Sequence, residues 1–318
     1  MRKFHSFLVI GLISTMLSAC AGFSRIQDPI SHFNQAAHAA SSAESAFLNA
    51  VQVVECEDQF YKSAYDYSTS SDPKANFDLR GYCTPIVVTP DQITTRNTLM
   101  SAIVLYADKM QALSTSDNDK QLDANSQTLA QNLNKLAITG GIKLQDPAIV
   151  QGVEAAVSAI AKMALDQIIY SNLRNAAQNM QPYLKAIVTA LQSENFGFGQ
   201  AIISSLGHIE MMLRIEISLS HQRGQVAAAD TFFNIINARG ILIGADPVTK
   251  QALASPANTP NPKPVDAAKP VNDALDAIVT GNQAIANTGS GGIYAAANDM
   301  YKRAMTAKDI YDSIAKAK

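Results

Sequence analysis

The chain has no tryptophan, three cysteines and five histidines among 318 residues, and only 16% of it is charged. Each shortage excludes something. Three cysteines are too few for a disulfide-dense scaffold. Twenty-five basic residues against 27 acidic ones, with a pI near 6.2, leave no basic surface for nucleic acid. The charged fraction lies below the usual ~25%, so polarity comes mostly from Asn, Gln, Ser and Thr. Long apolar runs are scarce after the first twenty residues. The most apolar later stretches, around 147–170 and 201–219, carry Glu154, Lys162, Asp166, Glu210, Arg214 and Glu216, so none reads as a transmembrane helix. What is abundant is alanine, with 49 copies, inside a hydrophobic fraction of 47% that excludes a disordered chain. The length allows one large or two modest domains with a buried core.

The first residues set the compartment. Arg2 and Lys3 precede an uncharged, largely apolar run from Phe7 to Ala19. That run is shorter than the ~20 residues needed to span a bilayer, and fits the core of a secretory signal. It ends in Leu17-Ser18-Ala19-Cys20. Here the sequence resembles bacterial lipoproteins, whose lipobox is Leu, two small residues and Cys. The resemblance covers the leader alone. It implies cleavage before Cys20, diacylglycerol on its thiol and an acyl chain such as palmitate on its amino group. At ~0.8 kcal/mol per buried CH₂, several chains make attachment effectively permanent. Residues 21 and 22 are Ala and Gly. In enteric lipoproteins Asp after the Cys marks inner-membrane retention, so the resemblance implies the outer membrane, facing the periplasm. Loss of Arg2 and Lys3 with the leader makes the mature chain more acidic by two charges.

Cys20 assigned, Cys56 and Cys83 remain, and in an oxidising envelope they are expected to pair. The loop-entropy estimate for their separation is roughly 3.5 kcal/mol, a model-dependent figure. Between them lie Ser68-Thr69-Ser70-Ser71-Asp72-Pro73 and Arg80-Gly81-Tyr82, a polar, turn-rich stretch that a staple would hold. No Cys-x-x-Cys spacing favours a redox or metal pair.

The body of the chain reads as long helices. Asp28-Pro29 offers an N-cap and an N1 proline before Phe33, Ala36, Ala40, Ala43, Phe47, Val51 and Val54, spaced at three and four. Thr89-Pro90-Asp91-Gln92 is a capping box, with Val88 and Ile93 placed for a hydrophobic staple. The seam Leu99, Ile103, Tyr106, Met110, Leu113 follows and breaks over Ser114 to Asp119. It resumes out of phase at Leu122, Leu129, Leu133 and Leu136. A third segment starts at Asp146-Pro147. Pro182 should kink it or end a helix near Gln181, and Asn195-Phe196-Gly197-Phe198-Gly199 should reverse the chain. A fourth segment carries Ile202, Leu206, Ile209 and Leu213, and a shorter helix is expected at Asp246-Pro247. Two weaker helices near 271–287 and 293–317 flank Gly289-Ser290-Gly291-Gly292. Ile86-Val87-Val88 and Ile241-Leu242-Ile243 are β-like but too short and isolated to build a sheet. The prediction is an all-α antiparallel bundle of long Ala-rich helices, whose small side chains let helix axes approach closely. Its expected divisions are a cleaved leader (1–19), a lipidated tether (20–27), a bundle (28–254), a Pro-rich loop or linker (255–270) and C-terminal helices packed on the bundle (271–318).

Chemistry is thinly marked. His32 and His38 fall on different helix faces, His208 and His221 are far apart, and neither HExxH nor paired Glu-x-x-His occurs, so no metal site is expected. Asp117-Asn118-Asp119 lacks the glycine of a Ca²⁺ loop and reads as a solvated turn. No GxSxG, P-loop or dinucleotide fingerprint appears, and no cofactor is expected. Gly289-Ser290-Gly291-Gly292 reads as a hinge. Glu210 and Arg214 are expected to pair on an exposed face, the alternative being a buried ionic group inside the bundle. Phe196, Phe198, Ile202 and Ile203 stand out at the expected turn. Two phenylalanines plugging a bundle end is the plainer expectation; a tip touching membrane or partner is the alternative.

The expected function is a non-catalytic helical scaffold or interaction module, held at the bilayer by acylated Cys20 and meeting an envelope protein partner. Two readings of other classes stand beside it. One is a membrane-active protein using the 196–203 tip. The other is a small-molecule binder or hydrolase using a cavity between helices.

Overall fold

The computed structural model describes residues 4–71, 83, 86–115, 170–225, 227 and 266–316, with side chains from Ile26 onward on the first helix. Five helices make up nearly all of it: α1 (Phe4–Thr69), α2 (Pro90–Thr115), α3 (Tyr170–Gln222), α4 (Lys269–Asn287) and α5 (Ser290–Lys316). No strand occurs among the described residues, and Ile86–Val88 is irregular backbone. The all-α expectation holds.

Side-chain pairings fix the directions. Asn34 and His38 of α1 meet Asp108 of α2, while Glu44 meets Arg96, so α2 runs against α1. Phe47 faces Phe198 and Asp58 faces His208, so α3 runs parallel to α1. Phe33 packs at Gly281 of α4, and the start of α4 lies beside Gly199, so α4 runs against both. His32 stacks edge-on with Tyr294 at 4.6 Å and Phe47 with Tyr311 at 4.9 Å, so α5 runs parallel to α1. The five described helices therefore point up, down, up, down, up, and α5 packs most extensively on α1. The C-terminal pair, α4 and α5, thus packs on α1 and α3.

The alanine seams are real. Ala36, Ala37, Ala40, Ala43 and Ala50 of α1, Ala274 of α4 and Ala297, Ala304 and Ala307 of α5 are fully buried. Gly281 continues this close approach, because a Cβ there would stand 3.1 Å from the Phe33 ring. The capping box forms as read. Thr89 N–H donates to Gln92 Oε1 at 2.9 Å and Gln92 N–H donates to Thr89 Oγ1 at 3.3 Å, with Val88 buried beneath. Leu99, Ile103, Tyr106, Met110 and Leu113 are all buried, and α2 is described as far as Thr115, just inside the break in the seam.

Three expectations fail. Asp28-Pro29 does not begin a helix: α1 runs through it and also covers the expected tether at 20–27. Ile26, Ile30 and Phe33 lie at i, i+4 and i+7 and are buried, so the apolar stripe begins before the proline and its burial outweighs one lost backbone bond. Pro182 does not end a helix either. Pro182 and Gln178, whose carbonyl the proline leaves without its helical donor, both face solvent. Finally, Asn195–Gly199 does not reverse the chain. Leu184, Ile187, Leu191, Asn195, Phe198, Ile202, Leu206, Ile209 and Leu213 form one buried seam at steps of three and four straight across it. Each interior glycine costs about 1 kcal/mol of helix propensity. Gly199 has a packing reason, since a Cβ there would stand 2.8 Å from the Ala268 nitrogen. The third and fourth segments are thus one helix, and the 196–203 hairpin tip does not exist.

The hinge expectation is narrowed. Thr288 and Gly289 alone separate α4 from α5, and Ser290, Gly291 and Gly292 lie in the first turn of α5. At the Pro-rich stretch, Lys269 and Pro270 already belong to α4, with Pro270 in its first turn. The second half of the 114–136 seam, the Asp146-Pro147 start, the Asp246-Pro247 helix and Ile241–Ile243 lie outside the described residues.

Candidate functional site

Two polar places lie where α1 faces α3. The first is closed. Arg96 of α2 is buried at mid-height and donates from Nε to Glu44 Oε1 of α1 at 2.7 Å. Its Nη1 donates to Glu194 Oε2 at 3.1 Å, and its Nη2 to the Leu191 carbonyl at 3.0 Å and to the Asn195 side-chain oxygen. Asn195 Nδ2 then donates to Asn272 Oδ1 of α4 at 2.7 Å. The Phe198 ring lies 5.3 Å under the guanidinium. Burial pushes the Glu44 carboxyl above its ordinary range, against the pull of Arg96, and its Oε2 has no hydrogen-bond partner. A second buried cluster joins Tyr106, Asn282, Gln181 and the Ala177 carbonyl. Burial raises the pKa of Tyr106, which holds it as a neutral hydroxyl donor.

The second place is open. α1 and α3 outrun the other helices: α4 starts beside Gly199, and α5 passes Phe47 with Tyr311 and ends at Lys316. Beyond that level α1 and α3 form the walls of a groove of about 580 Å³. Glu55, Asp58, Gln59, Lys62, Tyr65 and Asp66 recur at steps of one, three and four, so one face of the last turns of α1 makes a polar wall. Ser205, His208, Met211, Met212 and Ile215 make the α3 wall, apolar in its outer half. Ile86 and Val87 close one side. Their backbone N–H groups donate to Glu55, at 2.7 Å from Ile86 and 3.1 Å from Val87, which fixes the approach to α2. Met211 and Ile215 also border a shallower hollow with Gly207, Glu210, Arg214 and Ser218. Met211 is 55% exposed and Ile86 76%, and both of these large apolar side chains sit on the one groove.

The groove brings together Asp58, His208 and Ser205, residue types that could suggest acyl transfer. His208 Nδ1 lies 3.3 Å from Asp58 Oδ2. Ser205 stands one turn before His208 inside α3, where backbone N–H groups are already bonded along the helix. A nucleophile placed there has no backbone donors free to hold an oxyanion. Among the described residues no group of three or more His, Cys, Asp or Glu is placed to hold a metal, and no helix is long and apolar enough to cross a membrane.

The residues singled out from sequence fare differently. Cys56 and Cys83 are adjacent, with Cα atoms 4.8 Å apart, inside disulfide range, just below the Glu55 anchor of the groove. Cys20 lies in the backbone of α1 ahead of the side chains described. Of the four presumed tip residues, Phe198 and Ile202 are core, Ile203 is half-buried, and only Phe196 is exposed, at 62%. Glu210 and Arg214 pair at 2.6 Å on the exposed face, as expected. The buried ionic group exists elsewhere, at Arg96, and gave no sequence signal beyond a charge among the apolar positions of the second segment. Comparison with protein-family models, with curated proteins and with solved structures gives no match.

Proposed function

We propose that the mature chain is a lipid-anchored, non-catalytic interaction module of the bacterial envelope, held by acylated Cys20 and presenting the α1–α3 groove at its far end. The observation that carries this reading is a lipobox cysteine on the same helix as the groove. The first described core side chain, Ile26, follows Cys20 by about two turns, so little slack separates anchor from bundle. From Cys20 to Asp58 the helix climbs ~57 Å at 1.5 Å per residue. A rigid rod of that length would hold the groove well clear of the leaflet that carries the acyl chains. The outer membrane, with the body in the periplasm, is the location we assign, on the Ala21-Gly22 that follows the cysteine.

Supporting a binding role, the groove pairs exposed Met211 and Ile86 with the polar wall of α1, and the Glu55 carboxylate is taken up by two backbone donors. The test is direct. Mass spectrometry of the N-terminal peptide should find Cys20 acylated, and Cys20→Ser should move the protein from the membrane to the soluble fraction. An unmodified peptide spanning residues 19 and 20, or unchanged membrane retention of the variant, would sink the anchor.

A further inference from the structure

We infer that the groove between α1 and α3 is a docking site for a basic amphipathic helix of a partner protein. This rests on reading the chain as an interaction module and names the chemistry of its partner. The groove has two unlike walls. On α1, Asp58, in contact with His208, and the exposed Asp66 stand beside Lys62, while the buried Glu55 carboxylate is held by the Ile86 and Val87 N–H groups. On α3, the exposed Met211 and half-buried Ile215 present thioether and aliphatic surface over buried Met212, and Ile86 adds an exposed apolar side chain across the mouth. An occupant that satisfies both walls must carry apolar groups along one side and cationic groups along the next. A helix with Lys or Arg flanking an apolar stripe has that form.

Length agrees. Glu55 to Asp66 covers three turns, about 16 Å, so the groove holds roughly three turns of a partner helix with anchors at i, i+3/i+4 and i+7. Methionine suits such a surface, because its unbranched, polarisable side chain repacks around different apolar partners. The carboxylates would steer approach and reject acidic segments, while Met211 and Ile215 supply the buried area. Asp66 stands exposed at the outer end of the wall, where a cationic side chain reaches it without displacing any core contact.

The absence of tryptophan makes the test clean. A chain beginning at residue 20 with Cys20→Ser keeps every described core residue, since the core starts at Ile26. It is titrated into a synthetic helix of about 18 residues, Leu on one face, Lys on its flanks and one Trp in the apolar stripe. A matched peptide carries Glu in place of Lys. The Lys peptide should bind with a Kd of about micromolar order and a blue shift of its Trp emission, weakening as salt rises. Asp66→Lys and Met211→Glu should each weaken it about tenfold or more, with the thermal midpoint unchanged. The Glu peptide should bind at least about tenfold less tightly. Equal binding of the two peptides, no blue shift, or indifference to both substitutions overturns the inference. Displacement by tetraphenylphosphonium as tightly as by unlabelled peptide overturns it in favour of a small apolar cation. A dimer in sedimentation that Met211→Glu dissolves overturns it in favour of a second copy. None of these readouts depends on acylation, so failure here and failure of the Cys20 anchor are separately visible.

Discussion

The same two helices, α1 and α3, are bridged at mid-height and part company farther on. At Glu44 and Glu194 they are joined by Arg96 of α2, floored by Phe198 and tied to α4 through Asn195 and Asn272. About four turns on, Asp58 and His208 touch at 3.3 Å beside an open groove lined by methionine and carboxylate. The difference is not in the kind of residue, because both levels carry acids, amides and large apolar groups. It lies in how many helices reach each level. Where all five are present, each polar group must find protein partners, and the result is a knot with one orphan oxygen on Glu44. Where only α1 and α3 remain among the described helices, Glu55 and Asp58 still find partners, in the Ile86 and Val87 N–H groups and in His208, but Asp66 and Met211 stay exposed. Buried and exposed polarity are thus separated along one helix pair.

The largest effect should come from breaking the closed level. Arg96→Met removes the one cation held by Glu44 and Glu194 and should destabilise the protein by about 3–5 kcal/mol, read from urea unfolding. Adding Glu44→Leu should recover much of that loss, because the uncompensated carboxylate goes with it. The pH dependence has a definite sign. A carboxyl whose folded pKa is raised binds its proton more tightly in the native state, so its stabilising share is present in acid and fades as pH rises through the raised value. The penalty of Arg96→Met should therefore be smaller at about pH 5 than at about pH 8. A penalty that is flat with pH would mean that Glu44 is not the group left stranded.

An intermediate effect is expected at the join of the two levels. Glu55 accepts from the Ile86 and Val87 backbone and is itself buried, yet it also lines the groove. Glu55→Ala should lower stability by about 1–3 kcal/mol, because two backbone donors lose a charged acceptor. It should also loosen Ile86, visible as faster amide exchange at Ile86 and Val87 than at Leu99 to Ile103. Protection unchanged at 86 and 87 would show that this irregular segment is held by the capping box of α2 rather than by Glu55.

Much of the closed level was legible in the sequence, and almost none of the open one. Alanine and leucine spacing, the Thr89–Gln92 box and the seam from Leu99 to Leu113 are local signals, and local signals survive into the bundle. Asp28-Pro29 and Pro182 misled because a proline penalty of ~3 kcal/mol is a local quantity, whereas a continuing apolar stripe is worth more once it is buried. The 195–199 stretch misled for the same reason: two glycines read as a turn, but Asn195, Phe198 and Ile202 stay in phase. Arg96 gave no warning, since a lone charge among apolar positions looks like a solvent-facing residue until its partners, 52 and 98 residues away, are known. The groove depends on which helices end first, a property of the assembled fold that no window of sequence contains.

The smallest stability effect should come from the open level, and that smallness is what gives the comparison its edge. Met211 and Asp66 are exposed, and neither touches the Arg96 network. Met211→Ala and Asp66→Asn should each change unfolding free energy by no more than about 0.5 kcal/mol, as surface substitutions do. A native core methionine cut to alanine would lose about 2–5 kcal/mol. Measured beside Met100→Ala, buried on α2, the contrast should approach tenfold in free energy. If Met211→Ala instead loses more than about 1 kcal/mol, its thioether is already packed in the free protein. The groove would then be part of the core, with no surface left for a partner to cover.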